Sequence, residues 1–171
     1  MSAYLDQLRE KMYTKFQTIH WGHHPCGHGS VFENTEVTRE LLSNIAKKYD
    51  IKTVSDAGAG DLSWIDSVKW DVEYTPYDIR KWHSRVNQVD ITKDVLPKTD
   101  LIMCRHVLNH LENQLQAEAI DRFVESGSKY LFLTYTKPNC YGRVWETPLE
   151  ECTQVFPGGK VWKFGLWQIN R

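Results

Sequence analysis

The chain has 171 residues, 41% hydrophobic and 25% charged, with a formal net charge of −1. That length suffices for one domain with a sizeable core, and the charge balance excludes an overall electrostatic pull toward nucleic acid or an anionic membrane. No apolar run approaches the roughly 18–20 residues of a bilayer span, the charged start MSAYLDQLREKMYTKF has no apolar signal core, and the cysteines at 26, 104, 140 and 152 form no CxxC pair. The simplest reading is a cytoplasmic protein with reduced thiols and no membrane partner.

Leu5, Leu8, Met12, Phe16 and Ile19 recur at three- and four-residue steps and predict an amphipathic first helix. A His- and Gly-rich loop, HWGHHPCGHGS, follows. A second helix is expected with Val37, Leu41, Leu42 and Ile45 on one face. Strands are expected at Lys52–Asp56, Glu73–Asp78, Gln88–Asp90, Asp100–Cys104 and Lys129–Thr136. A helix with Leu115, Ala119, Ile120 and Phe123 on one face, ended by Gly127, lies between the last two. A Gly-Gly turn then leads into a strand in KVWKFGLWQIN, making six strands, with RVWETPL as an uncertain extra. This alternation predicts an α/β fold, a single Rossmann-like domain over 1–171 with an open, mostly parallel sheet and its ligand at the carboxyl ends of the strands. Residues 1–30 form its N-terminal helix and cap loop.

The segment SDAGAGDLSWI places Asp56 before, and Asp61 after, a turn built on Gly58 and Gly60. Dinucleotide sites put such a turn against a pyrophosphate at a helix N-terminus. Carboxylates on both sides oppose that anion and suit a ligand carrying positive charge, such as S-adenosylmethionine. Asp78 ends the next strand, 20 residues after Gly58, where an acid accepts hydrogen bonds from ribose hydroxyls; Asp90 ends the third and suits an adenine amino group. Each residue also has a plainer reading: a ligand-free turn for the glycines, helix N-caps for Asp56 and Asp61, solvated strand ends for Asp78 and Asp90.

His20, His23, His24, Cys26 and His28 have the chemistry to bind zinc, but their compact spacing lacks the second ligand pair of a structural site. The expectation is no metal. Gly27 and Gly29 would let the loop's backbone approach the cofactor closely, and Ser30 would cap the following helix. After the fourth strand the chain reads Cys104–Arg105–His106–Val107, neither the motif of amino-group DNA methyltransferases nor a Pro-Cys nucleophile. Pro25–Cys26 precedes the glycine loop, so the order is wrong for a cytosine-C5 enzyme. Arg80, Lys81, Trp82 and Arg85 form a small basic aromatic patch for adenine, a substrate phosphate or solvent.

The blocks SDAGAGDLSWI, YTPYDI, DITKDVLPKTDLIMCRHVLNHL and SGSKYLFLTY, with Gly27–Ser30 upstream and FGLW at 164–167, resemble class I S-adenosylmethionine-dependent methyltransferases, most closely a subgroup of bacteria and phages. The resemblance covers nearly everything after residue 20. It implies a seven-stranded sheet with an antiparallel C-terminal strand. It also implies that Asp56, Gly58, Gly60 and Asp61 hold the methionine part, Asp78 and Ile79 the ribose side, and Asp90 with Ile91 the adenine. Arg105, Gly29 and Ser30 would complete the cofactor site. His106 stands where the family pattern has Asp; it and His110 are the proton-acceptor candidates, with Asn109 as a polar positioner, though His110 also suits a packing role. The segment from Lys137 to Lys163 is short for the family, so the acceptor does not carry over; a small molecule or glycan is preferred for want of a basic surface. A non-catalytic binder of the cofactor is the alternative, and a nicotinamide-dependent oxidoreductase is disfavoured by Asp61 and Ser63.

Overall fold

A computed structural model describes residues 2–19, 24–135, 148–156 and 159–170. Its strands are β1 (Thr53–Ala57), β2 (Glu73–Asp78), β3 (Asn87–Gln88), β4 (Leu101–Cys104), β5 (Tyr130–Tyr135), β6 (Glu150–Phe156) and β7 (Lys160–Gln168). The helices are α1 (Ser2–Thr18), α2 (Glu36–Lys48) and α3 (Asn113–Glu125). The strands form one sheet in the order β3-β2-β1-β4-β5-β7-β6. Pairing is parallel from β3 to β5, and β7 runs antiparallel to both β5 and β6.

Alternation along the central strands builds two cores. Ile102, Cys104, Leu131, Leu133 and Tyr135 face α1 and α3, meeting Leu8, Met12, Leu115, Ile120 and Phe123. Leu101, Met103, Tyr130 and Phe132 face the other way, against Leu42, Ile45, Trp64, Ile65 and Phe164. The sheet is therefore the middle of three layers, as expected of a Rossmann-like fold, and the buried apolar run of β5 is the signature of a strand covered on both faces.

Three details differ from the expectations. The buried side of α2 carries Thr38, Leu42, Ile45 and Ala46, whereas Val37 is 38% exposed. A seventh strand, β6, begins immediately after the RVWETPL segment, most of which lies outside the described residues. No α-helix follows the glycine turn. Leu62 takes a left-handed φ of 63°, which a helix start does not tolerate, and the crossover holds only the 3₁₀ turn Ile65–Ser67. Leu62, Trp64, Ile65 and Val68 fill the core where that helix would have packed. Among the described residues no helix is long and apolar enough to cross a membrane.

Candidate active site

The carboxyl ends of β1, β2 and β4 open into a cavity of about 120 Å³. Asp56, Gly58, Gly60, Asp78, Ile79, Asp90, Ile91, Arg105, His106, His110 and Ser30 all line it. So do Met12 and Phe16 of α1, Trp64, Cys26, weighed above as a zinc ligand, and Trp82, weighed above as an adenine contact. Asp61 does not line it. Its Oδ1 accepts the Ser63 amide at 3.1 Å and its Oδ2 lies 3.8 Å from His24 Nε2, so it closes a turn instead of facing a ligand. Ser30 does not cap α2, whose N-cap is Thr35; the Ser30 hydroxyl donates to the Cys26 carbonyl.

The glycine turn is not an anion nest. The amides of Gly58 and Ala59 both donate to the Tyr77 carbonyl, at 2.8 and 3.0 Å, and the Gly60 amide donates to Asp78 Oδ2 at 3.0 Å. With these three amides spent on β2 and no helix dipole behind them, the loop has nothing to offer a pyrophosphate. Both glycines are needed sterically. Gly58 has φ 96°, and a Cβ there would sit 2.1 Å from Val107 Cγ2; Gly60 has φ 63°, with Cys26 Sγ 2.9 Å from the corresponding point.

Three acids lie at the successive strand ends, in different states. Asp56 is 3% exposed; burial pushes its carboxyl up to about 7, against the hydrogen bond that Tyr74 donates at 2.5 Å. Burial also raises Asp78, but the Gly60 and Arg80 amides donate to it and hold its orientation. Asp90 accepts the Tyr13 hydroxyl at 2.5 Å through Oδ2, and the Thr92 amide and hydroxyl through Oδ1. Arg9 bonds Thr92 from the same helix, so Asp90 docks α1 over the pocket. That role depends on partners 77 positions apart, which no local pattern reveals.

The two histidines expected as proton acceptors sit in surroundings that oppose that role. His106 occupies a left-handed corner at φ 55°, its ring edge-on to Phe156, Trp162 and Phe164. Burial, and then the Arg105 charge, drive it down to about 2. His110 is driven down to about 4 by burial and Lys15, with its Nε2 3.2 Å from the Asn109 amide nitrogen. Both rings are neutral at pH 7 and take up protons poorly. Burial pushes the Cys26 thiol up to about 12. His20, His23 and Trp21 lie outside the described residues, among which no group of three His, Cys, Asp or Glu side chains is placed to hold a metal. Of the basic patch, Trp82 reaches the pocket with Arg80 stacked on it, and Arg85 pairs with Asp66.

The donor set can be tested against S-adenosylmethionine. A carboxyl at Asp56 suits an ammonium, an oriented carboxylate at Asp78 suits a diol, and Ile79, Val89, Ile91 and Trp82 form an apolar slot for a purine. These residues fit.

No family model matches the chain, and no curated protein matches it in sequence. Solved structures do match. Magnesium protoporphyrin IX methyltransferase from Synechocystis PCC 6803, solved with bound SAM, superposes with a TM-score of 0.67 at 13% identity, over 93% of this chain and 95% of that one. The 1,6-didemethyltoxoflavin-N1-methyltransferase of Burkholderia thailandensis gives 0.65 at 13% identity, over 99% and 90%. The N-methyltransferase NodS of Bradyrhizobium japonicum, in complex with S-adenosyl-L-homocysteine, gives 0.60 at 15%, over 92% and 96%. The fold is that of class I methyltransferases.

Proposed function

We propose that the chain is an S-adenosylmethionine-dependent methyltransferase acting on a small molecule. The observation that carries this reading is Asp78, the strand-end acid whose carboxylate is held by the Gly60 amide at the lip of a pocket with no phosphate-binding amides. The named neighbours, which act on a porphyrin and on a toxoflavin precursor, support a small acceptor by analogy of fold.

Asp56 and Arg105 would hold the amino-acid end of the cofactor, Asp78 the ribose, and Ile79, Ile91 and Trp82 the adenine. When bound, the cofactor supplies an electrophilic methyl carbon on a leaving group that needs no proton. The chain's own contribution is then alignment and exclusion of water. His106 and His110 serve as neutral walls of the methyl-facing side. They suit an acceptor atom that already carries a free lone pair at neutral pH, such as a heteroaromatic or aniline-type nitrogen, better than an alcohol or an alkylammonium that must lose a proton for the transfer. The same weak basicity favours the alternative of a binder without turnover.

Calorimetry with S-adenosylmethionine, S-adenosylhomocysteine and NAD tests the cofactor. Binding of the first two and not of NAD is expected, with Asp78→Asn weakening both by about 1.5–3 kcal/mol. Unaltered affinity in a folded Asp78→Asn protein refutes the assignment. Release of S-adenosylhomocysteine with a panel of amines and alcohols separates enzyme from binder.

A further inference from the structure

Two cavities meet at Phe16. Its ring lines the pocket described above and also an outer groove of about 310 Å³ that runs past Tyr13, Gln17, Gln88 and Asp94. The wall common to both is Phe16, Ile79, Val89 and Asp90. Three of these four are fixed to the sheet. Ile79 and Val89 directly follow β2 and β3; the Val89 amide donates to the Asp78 carbonyl at 2.9 Å, and the Gln88 side-chain amide donates to the Ile79 carbonyl at 3.1 Å. Asp90 is held by Thr92 and Tyr13. Phe16 alone of the four stands near a helix end, two residues before α1 stops at Thr18.

The hold on α1 is concentrated ahead of that ring. Leu8 and Met12 are buried, Arg9 bonds Thr92, and Tyr13 bonds Asp90. In the last turn Thr14, Lys15, Gln17 and Thr18 are exposed, and Phe16 is half-buried. A solvent-exposed contact ties this turn to the pocket wall: the Lys15 ammonium donates to the His110 carbonyl at 3.0 Å. The same ammonium lies 5.5 Å from the centroid of the Phe16 ring. A helix end held by exposed contacts opens locally at far lower cost than the buried turns before it. The groove gives the ring a place to go, so a change of rotamer at Phe16 does not disturb the core.

Resting on the cofactor reading above, we propose that Phe16 is a gate between the pocket and the outer groove. The ring swings into the groove to pass an adenosyl ligand and returns to close behind it. The Tyr13–Asp90 bond is the fixed point of the motion and Lys15 its catch. The common wall contains Ile79 and Val89 of the apolar slot, whereas His106 and His110 line the pocket and not the groove. The gate therefore opens at the purine end and leaves the methyl-facing side closed.

The test is stopped-flow binding of S-adenosylhomocysteine, read by the fluorescence of Trp64 and Trp82, which line the pocket. A residue that only touches the ligand alters dissociation and leaves association nearly unchanged, whereas a gate alters both in the same direction. Phe16→Ala should therefore raise the association and dissociation rate constants together, each by about fivefold or more, and the bulkier Phe16→Trp should lower both. Lys15→Met removes the catch without changing the pocket lining and should raise both by about twofold. An association rate unchanged in Phe16→Ala overturns the gate, whatever happens to dissociation, and so does an unchanged rate in Lys15→Met. The lysine variant, altered at an exposed position, decides the matter if Phe16→Ala does not fold. Wild-type binding with unaltered association in the variants leaves the cofactor reading standing and removes only the gate, whereas a wild type that does not bind S-adenosylhomocysteine removes both.

Discussion

Gly58→Ala is the substitution whose effect the structure specifies most closely. The residue has φ 96°, and the added methyl would lie 2.1 Å from Val107 Cγ2. A left-handed backbone costs an L-residue about 1–2 kcal/mol, and forcing a methyl into a filled corner costs about 1–3 kcal/mol more. The expected loss is therefore about 2–5 kcal/mol, a large share of the roughly 5–15 kcal/mol that stabilises a domain. Val107→Ala removes the two methyls in the way and leaves Cβ at 3.2 Å, so in that background only the backbone cost should survive. Equilibrium urea unfolding of the wild type, both single variants and the double variant gives the cycle. A favourable coupling of about 1–3 kcal/mol is expected. Additive effects, or a single-variant loss below about 1 kcal/mol, would refute the packing described at this corner.

Acid should destabilise the protein earlier than carboxylate titration alone allows. Below the ordinary histidine value of 6.5, the unfolded chain protonates His106 and His110 while the folded chain, with these held at about 2 and about 4, does not. Asp56, raised to about 7, works the other way and gains a proton in the folded state. Over these three groups the balance is one proton more on the unfolded chain, which the raised Asp78 opposes in part, so stability should fall by at most about 1.4 kcal/mol per pH unit between roughly pH 6 and 5. His106→Asn should flatten that slope; a wild-type stability that rises on acidification contradicts the assignment. Tyr13→Phe deletes the hydroxyl that bonds Asp90 and should cost about 1.5–3 kcal/mol of α1 docking. Hydrogen exchange should show α1 amides losing protection ahead of α3, and equal protection in variant and wild type would remove Asp90 as the latch.

What the sequence disclosed was what short-range pattern controls. Tyr130–Leu133 announces a strand buried on both faces, and Leu115, Ala119, Ile120 and Phe123 mark the apolar stripe of α3. The strand-end acids were legible because spacing from the glycine turn fixes where they emerge. The β6 strand was not, because it lies at the sheet edge with Glu150, Glu151 and Thr153 along it, held by pairing to β7 and by Lys48 and Tyr49 on Glu150. The missing crossover helix was hidden because Leu62, Trp64 and Ile65 are apolar in either conformation, and only the left-handed Leu62 decides. At the site, Asp61 looked like Asp56 in sequence; the turn it closes with Ser63 carries it away from the pocket. The charge states of His106 and His110 depend on aromatic rings and a lysine brought in from elsewhere in the chain.

The placement of β7 between β5 and β6 sets an order of events for a chain made from its N-terminus. The β7 strand follows both of its neighbours in sequence, and all six of its rungs with β5, from Tyr130–Gln168 to Tyr135–Lys163, join positions far apart along the chain. Until residues 160–168 have emerged, the most apolar strand of the sheet carries an open edge, a template for pairing with other nascent chains. The parallel half from β3 to β5 can assemble earlier, so the pocket's acids and glycine turn are in place before the sheet is sealed. A chain interrupted before Lys160 would lose its protection against aggregation, together with the Trp162 and Phe164 rings that pack on His106 at the pocket, which makes the C-terminal hairpin a determinant of yield as well as of the site.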